Sequence, residues 1–198
     1  MPALDEVLYY LNGIWHLVRH RQDGFRWLDL SWRGLLRSFW AFVWCLPALA
    51  VIWASWRLYY LARMPEGTTA GADFILKMFV VDVVGWLLPL AIIALLARPL
   101  GYAQHLATMI IASNWIAVPF AYATAVPFAL ALVVPAFAAF SGLLLYAVFG
   151  ASIVLQYRLL WMCVGKQTLL AATLTALFVL PPLLAGQGLQ VLLGTLPG

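Results

Sequence analysis

"KMFVVDVVGWLLPLAIIALLAR", residues 77–98, is a run of oily side chains with one carboxylate, Asp82, set inside it. At 1.5 Å per residue, about 20 such residues in a helix cross the roughly 30 Å hydrocarbon core of a bilayer. The same character recurs, because Phe39 to Trp56 and Met109 to Gln156 contain no charged residue. Of the 198 residues, 66% are hydrophobic and 9% charged, against roughly a quarter charged in a soluble domain. A globule in water cannot hide that much apolar surface. The sequence therefore predicts an all-α fold, a polytopic transmembrane helical bundle of about five spans, preceded by an amphipathic interfacial helix.

Turn chemistry divides the chain into an N-terminal segment, 1–37, and a transmembrane domain, 38–198. Spans are expected at about 38–63, 74–97, 102–133, 137–163 and 167–187. "MPEGTTAGAD", residues 64–73, is rich in Gly, Pro and Thr and reads as the first loop. Arg98-Pro99 ends the second span, and the last is expected to stop near "PPLLAGQG", residues 181–188. Between Gly101 and Gly165, Pro119, Pro127 and Pro135 interrupt a nearly continuous apolar stretch. It reads either as two long spans with a break near Val134 to Ser141, or as three short ones with a turn at "TAVP".

Charge favours five spans. With the N-terminus inside, the cytoplasmic edges receive Arg19, Arg21, Arg26, Arg33, Arg37, Arg98, Arg158 and Lys166, and the opposite edges Arg57, Arg63 and Lys77. Six spans would move Lys166 outside and weaken the bias. The expected topology is thus a cytoplasmic N-terminus and a non-cytoplasmic C-terminus. Ten Trp, eight Tyr and eleven Phe cluster partly near span ends, where amphipathic rings favour the lipid–water boundary.

"LDEVLYYLNGIWHLVRHR", residues 4–21, places Leu4, Val7, Leu8, Leu11, Ile14, Trp15 and Val18 at helical spacing, opposite Asp5, Glu6, Asn12, His16 and Arg19. Too polar to cross, it either lies on the membrane surface or packs against the spans. Its acidic start lacks the basic, apolar and small-residue order of a cleaved signal, so the N-terminus is expected to be retained. Asp29 or Ser31 can cap the helix that follows. The net charge of +4 is spread along the chain rather than gathered into a soluble basic domain, which argues against nucleic acid and for anionic lipid headgroups. Arg19, Arg21, Arg26, Arg33 and Arg37 are the candidate headgroup contacts.

Asp82 is the leading candidate for function, since an intramembrane carboxylate is expensive unless paired, protonated or facing water. Asn114 in the third span and Arg57 near the outer end of the first can join it in one polar cluster, lining a path or clamping helices. His16 and His20, four apart, have a metal-binding spacing without a third ligand, and read as an interfacial pair with no metal. His105 reads as a headgroup-level side chain. Cys45 and Cys163 have no paired spacing. Prolines recur in "NWIAVPFAYATAVPFALALVVP", residues 114–135, as they do around the broken helices of transporters. Ala138, Ser141, Gly142, Gly150 and Ala151 offer small surfaces for helix contact or self-association. No phosphate loop, zinc-binding helix or nucleophile elbow stands in the sequence, so neither catalysis nor a cofactor is expected.

"DLSWRG" (29–34), "ASNWIAVPF" (112–120) and "YRLLWMCVGKQTLLAATLTALF" (157–178) stand in an order that resembles the YIP family of five-span membrane proteins, over about residues 27–190. The resemblance implies the five-span architecture. In eukaryotic members it goes with binding of Rab-type small GTPases. Here Trp32-Arg33 precede Gly34 and no proline follows, so the resemblance carries architecture and no functional residue. Two roles are expected from the whole: a non-enzymatic protein of a bacterial inner membrane that organises lipid or other membrane proteins, or a small permease with a polar path near Asp82 and Asn114.

Overall fold

The computed structural model describes residues 2–196, the side chains at 135 and 138 excepted. Seven α-helices appear among them: α1 (Leu4–Val18), α2 (Trp32–Ser38), α3 (Ala41–Leu61), α4 (Ala72–Leu96), α5 (Leu106–Val133), α6 (Ala138–Cys163) and α7 (Thr168–Leu192). Five stretches are long and apolar enough to cross a membrane: Trp32–Leu61, Ala72–Leu96, Ala103–Val133, Ala139–Cys163 and Thr168–Leu192. The architecture is compatible with an integral membrane protein.

Local chemistry sets the ends of these helices. At the start of α2, the Ser31 hydroxyl accepts from the Gly34 amide at 3.2 Å, while Asp29 Oδ1 accepts from the Ser31 amide at 3.0 Å. Of the two expected capping residues, Ser31 caps the helix, and Asp29 braces Ser31. α2 and α3 follow each other across Phe39–Trp40 as one apolar stretch. The chain breaks at Val134 and a 3₁₀ turn, Pro135–Phe137, after α5 has run uninterrupted through Pro119 and Pro127. Two long helices, not three short ones, occupy this region. Each proline frees only the carbonyl four residues earlier, and the rest of the ladder survives. For the same reason α7 continues through Pro181 and Pro182 to Leu192, beyond its expected end near residue 187.

The long helices pack in the circular order α3, α5, α6, α7, α4, and α4 returns to α3. That last seam is aromatic. Phe42 stacks on Trp86 with centroids 4.9 Å apart, Phe39 meets the same indole edge-on, and Trp53 meets Phe79. Aromatic pairs of this kind contribute about 0.5–1.5 kcal/mol each beyond area burial.

The N-terminal segment docks on one end of the ring. α1 packs against α5, α6 and the 3₁₀ turn Gln22–Trp27, and it commits Val7, Ile14, Leu17 and Val18 to the main core. Of the two placements the sequence allowed, packing against the spans is the one adopted. Leu4, Leu8 and Trp15 remain exposed on the other side of α1. Gly13 and Gly24 let α1 and the 3₁₀ turn approach closely within this segment: a Cβ on Gly13 would lie 2.5 Å from Trp27 Cβ and 3.0 Å from the Gly24 carbonyl oxygen. Glu6 then ties α1 to α2, accepting from Arg37 and from the Tyr10 hydroxyl, each at 2.6 Å.

Gly13→Val should lower the thermal unfolding midpoint in detergent by the equivalent of about 1–3 kcal/mol, the usual result of overpacking. Gly142→Ala, where a Cβ meets nothing within 4 Å, should leave it unchanged or slightly raised. Equal midpoints for the two variants would show that the α1 contact is not close-packed.

Candidate functional site

The three residues expected to cluster have three different partners. Asp82 Oδ2 accepts from the Trp53 indole N–H at 2.6 Å, a bond that crosses the α3–α4 seam. Arg57 Nε donates to the carbonyl of Ala70, in the loop before α4. Asn114 Nδ2 donates to Ser38 Oγ at 2.9 Å. The expected direct cluster is not formed. Arg57 lies close enough to the span's end to reach loop carbonyls, which removes its need for a buried carboxylate. Asn114 stands eight residues into α5, at the other end of the ring, where the end of α2 brings Ser38 against it.

Asp82 and Asn114 nonetheless border two adjoining spaces. A groove of about 720 Å³ is lined by all five long helices, with Asp82, Leu49, Trp56, Thr124, Phe128 and Tyr146 along its wall. A chamber of about 230 Å³ continues it, and Gly85, Trp86, Ala117, Phe120, Phe149, Phe178, Val179 and Pro182 line both. From Ser113 to Phe128 along α5 the combined space runs about 22 Å at 1.5 Å per residue. Most of this wall is aliphatic or aromatic.

The far end of the chamber is polar but uncharged. Gln156 Nε2 donates to Ser113 Oγ at 3.0 Å, and Ser152 gives its hydroxyl proton to the Val148 carbonyl at 2.8 Å. Ser38, which accepts from Asn114, donates onward to the Leu35 carbonyl at 2.7 Å. Asn114 is fully buried, and its Oδ1 has no protein partner. Pro89 of α4 and Pro182 of α7 also line the chamber. Neither has an N–H to give to the carbonyl four residues earlier, at Gly85 and Phe178.

Proline therefore does mark this space, through α4 and α7. Pro119 and Pro127 of the conspicuous α5 repeat are absent from its wall. Sequence reasoning passed over Trp53, Ser38, Ser113 and Gln156. Gln156 carried a usable signal, being an amide inside a span; the others acquire meaning only from partners 29, 76 and 43 residues away.

The remaining candidates fall outside the groove. Arg37 is paired with Glu6 and Arg21 with Asp23, at 2.6 and 2.7 Å. The hydrogen bond from Arg21 holds the Asp23 carboxyl below the usual carboxylate range, and Ser31 does the same for Asp29. Arg19, Arg26 and Arg33 are exposed and make no salt bridge among the described residues. Of the five basic candidates, these three stay available to headgroups. His16 Nδ1 faces Asp23 Oδ1 at 3.3 Å, while His20 Nε2 accepts from Arg158 Nε at 3.0 Å. The two rings thus take different partners. His105 lies beside Gln104 at 3.4 Å. Gly142 and Gly150 meet no neighbouring helix, and Ala138 falls outside the described side chains. Comparison with protein-family models, with curated proteins and with solved structures gives no match.

Ser38→Ala should destabilise by about 1–3 kcal/mol, since it leaves the buried Asn114 amide without its acceptor. Adding Asn114→Leu should restore part of that loss, because both polar partners are then gone. Chemical unfolding of the two variants would measure it, and a double variant less stable than Ser38→Ala would contradict the pairing.

Proposed function

We propose that this chain is a non-enzymatic integral membrane protein that seats the hydrocarbon chain of a lipid in its intramembrane groove. The observation that carries this reading is the joined groove and chamber, walled by all five long helices. Small-molecule sites are typically concave and mostly apolar, with a few placed polar groups, and fall within about 300–1,000 Å³. A run of about 22 Å exceeds one leaflet's half of the roughly 30 Å hydrocarbon core. An acyl chain is the guest that a bilayer supplies at high local concentration.

The exposed Arg19, Arg26 and Arg33, beside exposed Leu4, Leu8, Trp15, Trp32 and Leu36, support contact of the N-terminal end with anionic headgroups. This supports the reading that the N-terminal end faces the cytoplasm of a bacterial inner membrane, with the C-terminus opposite. α1 contributes to the core, so partner recognition would use the outer surface of the bundle rather than a detachable arm. Exposed Leu143, Tyr146 and Val154 on α6 are the place for self-association or a neighbouring membrane protein.

A permease is the second reading, favoured by the fact that Asp82 and Asn114 line adjoining spaces inside the bundle. The two make different demands. After gentle detergent purification, the wild type should retain about one amphiphile per chain by mass spectrometry. Ala117→Trp, at a residue that lines both groove and chamber, should reduce retention at least tenfold while circular dichroism stays helical. Retention unaffected by that substitution would remove the lipid reading. In reconstituted vesicles, Asp82→Asn should leave ion and proton flux at the wild-type level; abolished flux would favour the permease.

A further inference from the structure

Among the described residues, Asp82 is the one charged side chain on the wall of the groove. This step rests on the groove reading and concerns which guest the groove selects. The Trp53 indole N–H occupies Oδ2, and no salt bridge reaches this carboxylate among the described residues. The side chain is half-buried, and its second oxygen, Oδ1, is neither bonded nor sealed from the groove that Asp82 lines. The cations nearest along the chain are committed elsewhere. Arg57, one helical turn beyond Trp53, donates to the Ala70 carbonyl, and Lys77 faces Asp73 at 3.8 Å.

A clamp between helices does not by itself require a carboxylate. Any neutral acceptor satisfies an indole N–H, and an amide oxygen costs far less to bring into hydrocarbon than an ionised group does. What the carboxylate adds is a negative charge facing a cavity. The rest of the wall suits a cation as well. Trp56, Phe120, Phe128, Tyr146 and Phe149 line the groove from α3, α5 and α6, and α6 stands across the ring from the α3–α4 seam that holds Asp82. Aromatic rings attract a cation that has lost its water through their negative faces. An anion finds nothing comparable, since no Lys, Arg or His lines the groove among the described residues.

We infer that the groove binds a long-chain alkylammonium, its cationic head against Asp82 Oδ1 among these aromatic rings and its hydrocarbon tail along the apolar remainder of the wall. The chemical class is a single-chain amine without an acidic group. A phosphate carried beside the ammonium, as in a zwitterionic phospholipid, would enter the bundle with no counter-ion of its own. The ammonium balances the charge of Asp82 and donates to Oδ1 the charge-assisted kind of hydrogen bond, shorter and stronger than a neutral one. Trp53 keeps its hold on Oδ2 throughout, so the seam between α3 and α4 need not open for the guest to be recognised.

Three probes with one hydrocarbon tail separate head charge from chain: oleylamine, cationic at neutral pH; oleyl alcohol, neutral; and oleate, anionic. Oleylamine and oleyl alcohol both donate a hydrogen bond, so the difference between them reads charge. Each radiolabelled probe is equilibrated with the full-length protein in phosphatidylcholine nanodiscs, and uptake by empty nanodiscs is subtracted. Oleylamine should bind at least about tenfold more tightly than oleyl alcohol, as a charge-assisted bond replaces a neutral one, and oleate should bind most weakly. Asp82→Asn keeps an acceptor for the Trp53 indole and removes the charge, so it should bring oleylamine down to oleyl alcohol and leave oleyl alcohol unchanged. Equal binding of all three to the wild type, still blocked by Ala117→Trp, would overturn the alkylammonium assignment and leave the groove intact. A preference for oleylamine that survives Asp82→Asn would overturn it too. If none of the probes binds, the groove reading fails with it. The comparison among probes on the wild type does not depend on any variant folding.

Discussion

In hydrocarbon no water is available to satisfy a polar group, so each one must find its partner within the chain. That constraint orders this structure. The backbone complies by remaining helical through six prolines that lie inside α3, α4, α5 and α7. The side chains comply by pairing across helices: Asp82 with Trp53, Asn114 with Ser38, Gln156 with Ser113. Arg57 escapes the problem by reaching a loop carbonyl. The carboxylate inside an oily run is thus held at the α3–α4 seam, where its bond to an indole adds to a row of aromatic contacts.

The same requirement makes the incomplete groups informative. Asn114 Oδ1, Trp44 Nε1 and Ser141 Oγ are buried in the spans without a protein partner. The basic N-terminal end is equally selective. Glu6 and Asp23 neutralise Arg37 and Arg21 and use them to fix α1, while Arg19, Arg26 and Arg33 face outward beside exposed tryptophans.

Much of the fold could be read from composition and punctuation. The polar loop at 64–73, the break after Val133 and the cap at Ser31 each rest on a few neighbouring residues, and the sequence displays them directly. The order of the ring could not be read. Spanning helices that are apolar all round have no polar face to show which side turns inward, so nothing local says that α3 meets α5 or that α4 meets α7. Consequently, the polar residues in the spans could be found but not paired. Asp82 and Asn114 were both visible as costly; that they line two adjoining spaces without touching follows from helix packing alone. α1 was legible as amphipathic, but its apolar stripe divides: Val7, Ile14 and Val18 enter the core while Leu4, Leu8 and Trp15 stay exposed, a division that depends on where α5 and α6 lie.

The most direct test is the sidedness of the loops around the five spans. Single cysteines would replace Gln22, Glu66, Gln104, Ala136 and Gln167, one at a time, in a Cys45→Ala/Cys163→Ala background. Each would be labelled with a membrane-impermeant maleimide in intact cells and after lysis. Five crossings with the arginine-rich end inside require positions 66 and 136 to react in intact cells, and 22, 104 and 167 to react only after lysis. Labelling of position 22 in intact cells, or reaction of 66 and 104 on the same side, would contradict this.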